Sequence, residues 1–403
     1  MRNQEHSNAI EHADLDSLPR ELYEEWLEAV APGEPEQLLK RLRWSGITPE
    51  DLKLWAPSSS PSPDHGNSAT RSDWRYGVSQ ICAALMEHWD DPLLRYQQNH
   101  HVVQIPFIDL WSPAVEHGLA ALRDRRNNSS DTLHITDSAY KAIGQTLLKR
   151  LAHVGEQLLW SEFKNSSAPG DILLAHLGYP SGGSKPPSRN RYRRFVRTHR
   201  RDGLSSLIRK YPVFGRLIGT VWLLWLETAT TMLDRISKDA HILEEYFGIP
   251  SDAALCQVDQ GLSDPHRGGQ TVAILSFRIR RKTHKVVYKP KDMSLDETYQ
   301  GLIKHINDHS QQAALKTITI YSGRGYGYAE HITHRLCCDK RQRETFYHNA
   351  GRLTAVLYIL GCTDCHYENL IAVRDQLVLI AVSYTHLRAH ETDSYLVCRL
   401  LLE

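Results

Sequence analysis

Apolar positions recur every three or four residues up to about Pro250, and every second residue over much of the chain beyond it. That change of period predicts a helical part and then a part containing strands. Leu22, Tyr23, Trp26, Leu27 and Val30 keep helical spacing after Ser17 and Pro19, and Pro32-Gly33 closes the segment. Leu38, Leu39 and Leu42 mark a second helix. Thr48-Pro49-Glu50-Asp51 reads as an N-cap followed by proline at the first helical position. The stretch 57–64, with Pro57, Pro61, Pro63 and the serines between them, is a linker by composition. From Trp74 to Phe247 the period stays helical. One stripe is Leu147, Leu148, Leu151, Val154, Leu158 and Leu159; another is Leu217, Val221, Leu224, Thr228 and Leu233. Both are expected to face a core.

Past Pro250, Ala273, Leu275, Phe277 and Ile279 alternate with their neighbours as a strand does. Arg281-Lys282-Thr283 turns the chain, and 285–289 returns as a second strand that ends at Lys289 before Pro290. Ser294-Leu295-Asp296-Glu297 has the form of a capping box, opening a helix with Leu295, Tyr299, Leu302, Ile303 and Ile306 on one face. Strands are expected over 317–321 and 326–333. A longer helix carries Phe346, Ala350, Leu353, Leu357 and Leu360 and is stopped by Gly361. A polar loop, 362–369, leads to a short hairpin turning at Arg374-Asp375-Gln376. The fold class is therefore α+β. The expected divisions are N-terminal helices over 1–56, a linker over 57–73, a mainly helical part over 74–250 and a strand-containing core over 251–381.

Composition narrows the function. Among 403 residues, 48 Lys and Arg stand against 47 Asp and Glu, which argues against a nucleic-acid partner for the chain as a whole. No stretch approaches the ~20 apolar residues of a membrane helix; the best candidate is the six residues from Val221 to Leu226. The polar N-terminus lacks a signal peptide's apolar core, so a cytoplasmic location is expected. Seven cysteines, an odd number scattered along the chain, do not form a disulfide framework. One run departs from neutrality: Arg191, Arg193, Arg194, Arg197, Arg200 and Arg201, with Tyr192 and Phe195 between them. A solvated helix face or a loop is the simplest account. A nucleic-acid patch, or a basic rim for a phosphate-bearing or acidic peptide, is the sharper one.

The order hairpin, lysine at a strand end, helix, strands, long helix, polar loop, hairpin is the layout of a kinase-type phosphotransfer site. Such a site uses a lysine on ATP phosphates, and a loop Asp followed five residues later by a metal-binding Asn. Asp364 and Asn369 have that spacing, and Lys289 sits where the phosphate lysine belongs. Each is also explicable alone, Lys289 as an exposed strand-end lysine and Asp364, His366 and Asn369 as turn formers. Cys362-x-x-Cys365 with Cys337 and Cys338 offers a zinc set, but adjacent cysteines fit two tetrahedral positions poorly. A redox CxxC would open a helix after a strand, whereas this one follows a helix end.

Several segments together resemble the dehydratase domain of class II lanthipeptide synthetases. They are Asp264-Pro265-His266-Arg267-Gly268-Gly269, Val287-Tyr288-Lys289-Pro290, Tyr326-Gly327-Tyr328-Ala329-Glu330-His331 and the run Gly361-Cys362-Thr363-Asp364-Cys365-His366-Tyr367-Glu368-Asn369-Leu370-Ile371. The resemblance extends from the first helices to Ile380 and implies a lipid-kinase-like core. It also implies the chemistry: ATP and Mg²⁺ phosphorylate Ser and Thr of a precursor peptide held by its leader, and phosphate is then eliminated to give dehydroalanine or dehydrobutyrine. Carried over, Lys289 would bind ATP phosphates. Asp364 and His366 would serve the transfer, Asn369 would hold Mg²⁺, and Asp264 and His266 would face the phosphates. Glu330 would orient Lys289 by an ion pair. Zinc belongs to the cyclase domain that such synthetases carry afterwards.

After Ile380 the family continues with an Asp-x-Glu metal ligand, where this chain reads Ala381-Val382-Ser383 and a tail without periodicity. A truncated core, a non-native tail over 382–403 and an inactive or nearly inactive fragment are the expectations. Two other expectations use the same residues: a kinase-like phosphotransferase acting on another substrate, and a leader-peptide-binding module without catalysis.

Overall fold

The computed structural model describes residues 15, 20, 23–24, 27–28, 31–44, 74–92, 105–127, 133–166, 189–263, 268–311, 314–362, 365–367 and 369–380. The expected linker, the helix start at Thr48 and the tail lie outside them. The chain packs as two compact units, 1–122 with 147–227, and 123–146 with 228–403. Their division falls within three of the helices.

The described residues of the first unit are helical. The helices are α1 (Pro35–Trp44), α2 (Trp74–Glu87), α3 (Ile108–Asn127), α4 (Asp137–Asn165), α5 (Arg189–Arg201), α6 (Ser205–Lys210) and α7 (Pro212–Lys238), of which α3, α4 and α7 continue into the second unit. The α4 stripe is buried at Leu147, Leu148, Leu151 and Leu159, as its period requires. In α7 the expected stripe is buried at Leu233 but out of phase over the earlier turns. Leu217 is 47% exposed, and the buried face runs through Phe214, Ile218, Trp222, Trp225 and Leu226. The two indoles decide this: each removes roughly 200 Å² from water, on the order of 5 kcal/mol at ~25 cal/mol/Å², more than a leucine offers. Trp222 Nε1 donates to the Ala114 carbonyl at 3.2 Å, so its burial leaves no unmet donor. Helices α2 and α7 meet at two glycines. A Cβ on Gly77 would stand 2.2 Å from the Gly219 carbonyl oxygen, so neither position has room for a methyl.

The second unit holds the strands. Helix α8 (Ala240–Phe247) ends at Gly248, whose φ of 63° gives the left-handed cap. A five-stranded antiparallel sheet comes next in the order β1-β2-β3-β5-β4, comprising β1 (Ala254–Gln260), β2 (Ala273–Ile279), β3 (Lys282–Lys289), β4 (Ile320–Gly323) and β5 (Tyr326–Glu330). The alternation at 273–279 is therefore a strand as expected. The turn lies one residue earlier than expected, at Arg280 and Arg281, since Ile279 pairs with Lys282. Strand β1 has no clean alternation in sequence. It is fixed from outside, by a parallel bridge between Leu255 and Ile135 and by Ser138 Oγ donating to the Cys256 carbonyl at 2.7 Å.

Helix α9 (Ser294–His309) separates β3 from β4, and helix α10 (Lys340–Ile359) comes after β5. The expected capping box is absent. Met293 stands at the N-cap with no side-chain cap bond, and Asp292 Oδ1 takes the Ser294 N–H at 2.8 Å. Asp296, beside the expected capping acid Glu297, is buried. At α10, Asp339 caps by accepting from Gln342 N at 2.8 Å, and Gly361 with φ 64° ends the helix. Strands β6 (Leu370–Val373) and β7 (Gln376–Leu379) form the expected hairpin. Tyr299, Ile303, Leu315, Leu353, Leu357 and Leu379 join α9, α10 and the hairpin in one core cluster. No helix among the described residues is long and apolar enough to cross a membrane.

Candidate active site

Strand β3 is buried on both faces at its C-terminal end, where Val286, Tyr288 and Lys289 are all inside. Alternation sends Tyr288 to one side and Lys289 to the other. On the Tyr288 side, Arg235 Nη1 donates to the Tyr288 hydroxyl at 2.7 Å, and Asp239 Oδ2 accepts from Tyr326 and Tyr328 at 2.7 and 3.1 Å. Burial of this cluster pushes the tyrosine hydroxyls well above their usual range, with the Asp239 carboxylate adding to the effect at Tyr326 and Tyr328. Three tyrosines from the 287–290 and 326–331 motifs thus anchor the sheet to α7 and its end. No sequence signal marks Asp239 as their partner, because it lies 87 residues before Tyr326.

On the other side lies Lys289, 6% exposed. It pairs in register with Gly327, where a Cβ would meet the Tyr321 carbonyl at 2.3 Å. Its ammonium donates to Asp296 Oδ1 at 3.4 Å and to the Ile380 carbonyl. Burial draws the Lys289 pKa below the ordinary lysine range, and Asp296 opposes that pull. Two residues on, Lys291 is brought down to about 8 by burial and by the Lys289 charge, again opposed by Asp296. Asp296 thus meets the Lys289 ammonium directly and acts on the Lys291 charge only electrostatically.

The Ile380 contact extends the cluster. Ile380 N donates to the Asn369 carbonyl at 2.9 Å, Asn369 N donates to the His366 carbonyl at 3.0 Å, and Asn369 Nδ2 lies 3.2 Å from His366 Nε2. A main-chain path thus joins Lys289 to Asn369 and His366 across the end of β7. These three expected site residues are brought into one neighbourhood. Asp264, His266 and Asp364 lie outside the described residues.

Glu330 is placed elsewhere. It opposes Val286 in the β3–β5 register, pairs with Lys316 at 3.2 Å and accepts from Thr319 N at 3.2 Å. The carboxylate that meets Lys289 is Asp296, for which the capping-box spacing gives only the role of a helix-start acid. Lys291 carries no sequence signal beyond that of an ordinary charge after Pro290. Cys362 and Cys365 bring their sulfurs within 2.9 Å of each other and pack against the α9–α10 cluster. Among the described residues, no three His, Cys, Asp or Glu side chains gather as a metal site.

Chemically, paired cations at a strand end can hold a polyanion, and an amide oxygen such as that of Asn369 is a hard-metal ligand. His366 offers a ring nitrogen for a proton or a hydrogen bond.

A family model described as a domain of unknown function (DUF4135) matches residues 211–386. Among curated proteins, the lacticin 481/lactococcin biosynthesis protein LcnDR2 of Lactococcus lactis subsp. lactis is 22% identical over 156 residues. That match takes in 37% of this chain and 16% of the relative's length.

Proposed function

We propose that the second unit is part of a peptide-modifying phosphotransfer centre of lanthipeptide biosynthesis, acting on Ser and Thr hydroxyls of a precursor peptide. The observation that carries this reading is the buried Lys289–Asp296 pair with Lys291 beside it, joined through Ile380 to Asn369 and His366. The similarity to a lacticin 481/lactococcin biosynthesis protein supports the class of product.

The residues fit a magnesium nucleotide. Burial and the Lys289 charge raise the cost of charging Lys291, and a polyphosphate placed against the two lysines would lower it. Asn369 supplies an oxygen ligand of the type Mg²⁺ takes. When bound, ATP would supply the transferable phosphoryl group and Mg²⁺ would offset charge on its oxygens.

The chain's own contribution is then positional. Lys289, held by Asp296 and Ile380, fixes the polyphosphate, and His366 and Asp364 orient the attacking hydroxyl and take its proton. With ATP bound, transfer would join the hydroxyl oxygen to phosphorus and release ADP. Loss of the α-proton and of phosphate from the phosphorylated residue yields the dehydroamino acid, a route open because phosphate leaves far more readily than hydroxide. Asp264 and His266 would take part in the phosphorylation or in this elimination.

The test is nucleotide binding to the full chain with a fluorescent ATP analogue and Mg²⁺. Lys289→Met/Asp296→Leu, which removes both buried charges together, is expected to weaken binding at least tenfold. Unchanged affinity in that variant would sink the proposal. Mass spectrometry of a Ser/Thr-containing precursor peptide incubated with the chain and ATP separates phosphate gain, expected for transfer alone, from loss of water, expected when elimination follows.

A further inference from the structure

Helix α5 divides its arginines into two sets. Tyr192, Phe195, Val196, His199 and Arg200 turn inward at helical spacing, with Phe195, Val196 and Arg200 buried. Arg200 donates to the His88 carbonyl at 3.0 Å and to the Asp109 carbonyl, and Arg191 donates to the Phe163 carbonyl at 2.5 Å while lying 4.6 Å over its ring. Those two arginines hold helices together. Of the others, Arg193, Arg194, Arg197 and Arg201 are exposed. With Thr198 and Trp89 they line a surface depression of about 420 Å³. Arg201 stacks 5.5 Å over Trp89, and Arg197 meets Asp90 at 3.5 Å. Four arginines and Trp89 thus line one concavity, with the Asp90 carboxylate against Arg197.

The arrangement has a period. Arg193, Arg197 and Arg201 stand four residues apart, so their Cα atoms rise about 6 Å from one to the next. A partner helix with carboxylates at i, i+4 and i+8 carries the same interval. Arginine suits carboxylates because its fork binds both oxygens, and Trp89 adds an apolar and cation-holding surface. A nucleic acid fits less well: the face is about 12 Å long by that rise, Trp89 is the lone ring among its described lining residues, and the chain's near-neutral charge supplies no wider basic track.

We propose that this face of α5 is a docking site for an acidic helical peptide segment bearing carboxylates at four-residue intervals. The site stands apart from the phosphotransfer reading and does not depend on it. It is tested by fluorescence anisotropy with the full chain and a labelled helical peptide carrying Glu at every fourth position. Expected are saturable binding that weakens steeply with salt, at least tenfold loss when the Glu residues become Gln, and at least threefold loss when the same number of Glu residues is placed at two-residue spacing. Arg193→Glu/Arg197→Glu is expected to weaken binding at least tenfold. The peptide variants probe the unaltered protein, so the outcome stands whatever that double variant does to folding. Equal binding of the Gln peptide or of the respaced peptide overturns the proposal. Displacement by single-stranded RNA at lower concentration than by unlabelled peptide also overturns it, in favour of a nucleic-acid site.

Discussion

Replacing Lys289 by Met keeps the side chain's length and removes its charge, which strands Asp296 at 1% exposure. The pair stands at 3.4 Å. At an effective dielectric near 20 its Coulomb energy is about 5 kcal/mol, and breaking one partner of a buried pair typically costs ~3–5 kcal/mol, because the other charge stays buried. Lys289→Met is therefore expected to destabilise the second unit by that amount, whereas Lys289→Met/Asp296→Leu should recover to within ~1–2 kcal/mol of the parent. The probe has to be chosen with care. All nine tryptophans lie at or before Trp225, so indole fluorescence follows the first unit. Backbone hydrogen exchange in β2 and β3 follows the second. At about 1.4 kcal/mol per tenfold, exchange there should accelerate by roughly two to three and a half powers of ten in the single variant. A single variant that exchanges like the parent, or a double variant as fast as the single, refutes the reasoning.

Lys291 gives a pH signature. Its folded pKa, about 8, lies below the ordinary lysine value of 10.5, so between these values the unfolded chain binds more protons and stability rises with pH. Urea unfolding at pH 7.5 and pH 10 should show that rise in the parent and a smaller one in Lys291→Met, where Lys289, also drawn below its ordinary range, still contributes. Gly219→Ala places a Cβ 2.3 Å from the Trp74 carbonyl oxygen, and overpacking of this kind costs ~1–3 kcal/mol or more. Tryptophan fluorescence during denaturation would show the lowered midpoint. Asp239→Ala strips two tyrosine hydroxyls of a charged acceptor, a loss on the order of 3 kcal/mol. Asp239→Asn keeps an oxygen there and should restore at least half, as read by hydrogen exchange in β5.

Local chemistry was legible where it acts alone. The β2 alternation, the α10 stripe with its Gly361 stop and the 370–379 hairpin each stand where spacing puts them. The α7 phase was not legible, because periodicity counted Leu217 and Trp222 alike while packing weights them by area. Strand β1 has no clean alternation to mark it; it pairs with the adjacent β2, and its outer contacts, Ile135 and Ser138, come from more than a hundred residues away. Within the candidate site, Lys289 and Asn369 were legible from order and spacing, and His366 from the family resemblance alone. Asp296 was not: one sequence position can serve as helix-start acid or as buried counter-ion, and tertiary burial decides between them. Glu330 illustrates the same limit, since kinase logic paired it with Lys289 and the register gives it to Lys316.

Ile380 takes part in the candidate site with its main chain alone, its carbonyl toward Lys289 and its N–H toward Asn369. Any residue but proline, which has no N–H to give, can make both links, and the identity of the side chain answers instead to its packing against Met293, Ile318, Ile320, Ala329 and Val378. The geometry at the end of β7, and the register that sets it, is what evolution would have to hold fixed.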